Sequence, residues 1–143
     1  MPKPYLWHPA AVHFPIALLL AGLAAALASS RGKGKSCLAD AASWLLWLGT
    51  ASAWAAAGLG LLAAKTAPHV PPAWRTLAEH RHLAFWTVAL FTALSLWRIF
   101  WRERRPRLFL LAWLCASAVL LSTAFHGGEL VFSYNMGTEA SAE

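Results

Sequence analysis

A chain of 143 residues that is 59% hydrophobic and only 13% charged lies outside the usage of soluble globular domains. Its formal charge of +6 would suit nucleic acid in a soluble protein, but the basic residues sit in short breaks between apolar runs, where they read as topology signals and not as a nucleic-acid face. Composition therefore predicts an all-α integral membrane protein, and the apolar runs number four.

The first run covers residues 9–29 and is introduced by WHPAAVHFPIALLL, Trp7 to Leu20. His8 and His13 stand at its mouth, about 140° and ~7.5 Å apart on a continuous helix. An isolated imidazole gains nothing from lipid, so a pair at the edge of a span asks for a partner, a metal or a cofactor. Pro15 leaves the Ala11 carbonyl without its donor and can tilt the first turn, setting the angle of His13; simple tolerance of proline in a membrane helix is an equal reading. Lys3 and the Ala26-Leu27-Ala28 triplet resemble a cleavable signal peptide. The run is long for one, contains Pro15 and His13, and precedes three positive charges, so it is expected to remain as a span.

RGKGKS, Arg31 to Ser36, leads to a second run over 38–64. Asp40 near its start favours the positive end of the helix dipole and reads as structural. The small-residue stretch ASAWAAAGLGLLAA, Ala51 to Ala64, allows close helix packing or leaves room for a planar macrocycle. Cys37 lies in a polar break and Cys115 within the last span, which argues against a disulfide, and no CxxCH marks covalent haem attachment. The third run covers 79–101, the basic break RERRPR spans Arg102 to Arg107, and the fourth run covers 108–125, followed by the tail 129–143. Each run has about 18 to 27 residues, the length a ~30 Å hydrocarbon layer requires. Trp7, Trp74, Trp97 and Trp101 near the span ends read as interfacial anchors.

The two basic breaks, with Arg98, hold eight of the twelve Lys and Arg residues. The positive-inside rule places them in the cytoplasm, and hence both termini and the segment 65–78 on the extracytoplasmic side. His8 and His13 then open the first helix, His69 lies in the outer segment, His80 and His82 open the third helix and His126 closes the fourth. All six histidines gather at one membrane face.

Haem iron accepts two axial imidazoles from facing helices of a bundle. His13 with His80 or His82 would make such a pair; His80 and His82 are about 200° apart, so only one can point inward. His126, followed by Gly127 and Gly128, where a flat ligand or another helix can approach, would hydrogen-bond to that site or form a second with His8. Arg75 and Arg81, with Lys65 nearby, are outer cations suited to propionates. Glu129 reads by default as a solvated outer charge.

HPAAVHFPIALLL, His80 opening the third span, and HGGELVF, His126 to Phe132, followed by Gly137, resemble the bacterial membrane family catalogued as domain of unknown function 2231. The likeness covers nearly the whole chain. It implies a four-span inner-membrane protein, in some members accompanied by cytochrome c domains, which would suit electron transfer. This chain departs from the family's usual ending after the GGELV motif, its tail reading FSYNMGTEASAE.

The function expected on these grounds is that of a b-type cytochrome with one or two haems near the outer face, carrying electrons between quinol and a periplasmic cytochrome c or other redox acceptor. The alternatives are a histidine site for a Cu, Zn or Fe ion, for which carboxylate company is thin, and a non-catalytic accessory subunit whose histidines hydrogen-bond at a wet interface. No nucleophile and base arrangement, phosphate loop or paired acids point to a stand-alone enzyme. The bilayer is the one certain partner, and homo-oligomerisation stays open.

Overall fold

The computed structural model describes residues 4–30, 36–68, 70–101 and 105–136. His69, most of the basic residues between the spans and the tail from Gly137 lie outside the described residues. A 3-10 turn, Pro4–Leu6, leads into α1 (Trp7–Ala11) and α2 (His13–Ser30); α3 is Ser36–Thr66. A second 3-10 turn, Pro71–Ala73, precedes α4 (Trp74–Phe100), and α5 is Pro106–Phe132. Helix is what lipid demands of these sequences, because each backbone N–H and C=O must find its partner within the segment. Among the described residues there is no strand, and four helical stretches, Trp7–Ser30, Cys37–Thr66, Pro71–Phe100 and Pro106–Phe132, are long and apolar enough to cross a membrane.

The spans close into a ring in chain order. α2 packs most extensively on α3 and α4 on α5, while α3 meets α4 and α2 meets α5. Leu19, Leu46, Phe91 and Trp113 are fully buried at the centre, whereas Phe14, Trp44, Leu111 and Phe125 point outward. A bundle that is apolar inside and out has lipid for its solvent. Lipid supplies no hydrophobic drive between helices, so small residues and polar pairs join them instead. Gly22 lies against the Trp113 ring and Gly49 against Leu19. Thr50 Oγ1 and Ser95 Oγ meet at 2.9 Å between α3 and α4, and Thr87 Oγ1 and Thr123 Oγ1 at 2.8 Å between α4 and α5. Replacing Thr50 by Val removes the first bond with little change of volume, and is expected to lower stability in detergent unfolding by about 0.6 to 1.7 kcal/mol.

Three boundaries differ from the sequence expectation. The first span is interrupted at Val12, which leaves α1 as a separate turn. Pro15 is the reason: it has no N–H for the Ala11 carbonyl, and the Val12 carbonyl accepts a long bond, 3.4 Å, from Ile16 N–H. The third span begins at Pro71, ahead of Glu79, because the helix continues past its apolar part into a polar turn held by Arg75 and Glu79. The fourth continues through Gly127 and Gly128 to Phe132, so His126 lies within α5 and does not end it.

Candidate functional site

α1 and the start of α4 stand at the same end of the bundle as the last turns of α3 and α5. His8 and His80, both half-buried, face each other there with ring centroids 6.2 Å apart and planes at 70°. His8 Nδ1 is 2.9 Å from the Ala56 carbonyl oxygen of α3, and His80 Nδ1 is 3.0 Å from the Thr123 carbonyl oxygen of α5. A carbonyl can only accept, so Nδ1 carries the proton in each bond, and in the neutral ring Nε2 keeps its lone pair. This is the arrangement by which proteins orient metal-ligating imidazoles: one nitrogen is anchored and the other is left to coordinate.

Each ring also rests on a glycine one helical turn beyond its anchoring carbonyl. A Cβ on Gly60 would come within 2.9 Å of His8 Cε1, and one on Gly127 within 3.1 Å of His80 Cε1. The two helical hairpins thus repeat a single device. A histidine at the start of the hairpin's first span is fixed by a carbonyl and a glycine four residues later, Ala56 with Gly60 and Thr123 with Gly127, near the end of its second span. The pairing places one imidazole from each hairpin at their junction. Gly58, also in the small-residue stretch, has open space around it, and Gly128 has only Phe132 nearby at 3.9 Å.

The other sequence candidates fall around this pair. His126 donates Nδ1–H to Ser122 O at 2.9 Å within its own helix, and its Nε2 lies 3.7 Å from Glu79 Oε2, an ion pair only when the ring is protonated. Arg75 is exposed and binds Glu79 at 3.1 Å; Arg81 is exposed as well. His13 and His82 are exposed and do not join the pair. His13 Nδ1 is 3.3 Å from Ala10 O, within the broken first turn. The ring that faces His80 is thus His8 and not the expected His13: Val12 keeps helical φ and ψ (−63°, −21°), and the ~140° between the two histidines turns His13 away when His8 points inward. His80 is the inward member of the His80 and His82 pair. The Gly60 contact was missed by sequence reasoning, although the small-residue stretch around it was the available signal. Among the described residues no three His, Cys, Asp or Glu side chains converge as a metal-ion ligand set.

No curated protein and no solved structure matches this chain. The family described as a predicted membrane protein, DUF2231, matches residues 6–140. The chain thus belongs to the DUF2231 family of membrane proteins, and the His8 and His80 pair lies within the matched region.

Proposed function

We propose that the His8 and His80 pair ligates the iron of a b-type haem, making this chain a small membrane cytochrome. The observation that carries the reading is the repeated clamp: two imidazoles from different hairpins, each with Nδ1 anchored on a carbonyl and its ring seated on a glycine. His8 and His80, with ring centres 6.2 Å apart, would hold the iron between the two hairpins, and the haem would supply one-electron exchange there. Axial ligation of haem needs only these two side chains, whereas a Cu, Zn or Fe ion site built from several ligands would need a third to converge.

Arg75 and Arg81 on the exposed part of α4 supply cations for propionates, Arg75 by exchanging its bond to Glu79. Along α4, His80 and Arg98 are separated by about 27 Å, at 1.5 Å per residue. A haem at the histidine end therefore exchanges electrons with reactants arriving on that side. The basic segments orient the histidine end toward the periplasm of a bacterial inner membrane, with both termini outside. Quinol in the outer leaflet and a periplasmic cytochrome c or similar acceptor are the matching donor and acceptor.

The test is the spectrum of the protein purified from haem-replete cells. A Soret band, α and β bands on reduction, and one haem per chain by pyridine haemochromogen are expected. A colourless protein with stoichiometric copper or zinc would replace this reading with the metal-ion one, and a colourless, metal-free protein would leave an accessory subunit.

A further inference from the structure

Thr123 is tied to α4 twice. Its carbonyl oxygen accepts from His80 Nδ1 at 3.0 Å, and its hydroxyl meets Thr87 Oγ1 at 2.8 Å. The two ties run in opposite directions along the bundle. A helical carbonyl points toward the C-terminus of its helix and a Cα–Cβ bond leans toward the N-terminus, so the carbonyl of Thr123 reaches toward the histidine end and its side chain away from it. His80 and Thr87 match that geometry, since seven residues of α4 put them about 20° apart around the helix and ~10.5 Å apart along it. A slide of α5 along α4 in either direction stretches one tie or the other. Both threonines are buried, so water does not stand in for the bond between them. Each also lies 2.9 Å from a carbonyl of its own helix, Leu83 O for Thr87 and Val119 O for Thr123. Two hydroxyl protons serve these three contacts, so one threonine gives up its own carbonyl to donate across. The other hairpin is built differently: Ala56, the anchor of His8, has no hydroxyl for a second tie.

We propose that Thr87 is a positioning residue for His80: its bond to Thr123 sets the height of α5 against α4, and so the place of the carbonyl and of Gly127 that together hold the ring. The consequence for the iron rests on the reading of His80 as a haem ligand. Partners that orient a ligating imidazole govern its affinity and orientation, and Thr87 acts one step further out, through the residue that supplies the carbonyl. Thr87→Val isolates this role. It keeps the volume, and the Thr123 hydroxyl left behind still donates to Val119 O, so no buried donor is orphaned and only the tie between the helices is lost. Thr50→Val is the matched control, because the Thr50 and Ser95 bond is equally buried but joins α3 to α4 and ends on neither anchoring residue.

The test is the solvent exchange of the ring Nδ1 protons, followed by NMR in the reduced, 15N-histidine-labelled full chain as purified. Thr87→Val is expected to speed exchange at His80 about 3- to 15-fold, the factor that one interhelical hydrogen bond in a membrane protein is worth, and to leave His8 unchanged. Thr87→Ser restores the hydroxyl and should restore the rate. Thr50→Val should lower stability without moving the His80 signal. Thr123→Val breaks the same tie from the other side while keeping the carbonyl, and carries the test should Thr87→Val not fold. In the oxidised protein, the largest g value of the low-spin ferric signal depends on the angle between the axial rings, 70° here, and should shift in Thr87→Val and return in Thr87→Ser. Unchanged exchange at His80 in folded Thr87→Val and Thr123→Val, an equal effect of Thr50→Val, or no rescue by serine would overturn the proposal. A colourless wild-type protein would remove the cytochrome reading, and the exchange rates would still decide whether Thr87 positions His80.

Discussion

Replacing either His8 or His80 by alanine is expected to abolish the haem spectrum, while His13→Ala and His82→Ala leave it intact. The contrast is sharp because the four histidines fall into two classes: two half-buried rings that face each other, and two exposed ones. Under the proposed ligation, loss of either ring would remove half of the protein's hold on the iron, and even a residue that only orients a ligand changes affinity by about 10 to 100-fold. The glycines give that intermediate case. Gly60→Ala would place a methyl 2.9 Å from His8 Cε1, closer than carbon atoms tolerate, and the ring must turn away from its bond to Ala56. Gly127→Ala, at 3.1 Å from His80 Cε1, should be milder, and Gly58→Ala, with nothing within 4 Å, should be silent. Haem content per folded chain, with helicity checked by circular dichroism, reads the series. Full haem content in His8→Ala and His80→Ala, alone and combined, would remove the pair from any role in haem ligation.

Much of this architecture is legible in the sequence because lipid imposes a length on every span and internal hydrogen bonding on every backbone group. The runs of apolar residues therefore located all four helices, and the parity of four passes put His8, His80 and His126 at one end. Errors arose where a span leaves the apolar layer. Hydropathy falls near Glu79, but the helix extends outward to Trp74 through polar residues; the last apolar run stops at Phe125, yet α5 continues and Gly127 accommodates the His80 ring within it. The identity of the pair was hidden for a related reason. A phase angle of 100° per residue puts His8 and His13 on different sides of the first span but does not say which side faces the bundle. That it is the side of His8, anchored 48 residues away on Ala56, is a tertiary fact.

Between α2 and α3, the most extensive contact in the bundle, Gly49 and Leu19 make a prediction about stability that is independent of any cofactor. Leu19 is fully buried, and a Cβ built on Gly49 would lie 2.6 Å from its Cδ2 and 2.7 Å from its Cγ. Gly49→Ala must therefore push the helices apart or drive Leu19 from its rotamer, an overpacking cost of about 1–3 kcal/mol. Leu19→Ala leaves a hole in the same place and costs about 2–5 kcal/mol. The two defects are opposite in sign of volume and share one site, so they cannot add. With the leucine side chain gone, the methyl on residue 49 enters the space it vacated, and the double variant should be more stable than the sum of the single losses by about 0.5–3 kcal/mol. Reversible unfolding in mixed micelles measures all three. Strict additivity would mean that α2 and α3 are not in contact at this level, and the ring of helices on which the placement of His8 over Gly60 depends would have to be redrawn.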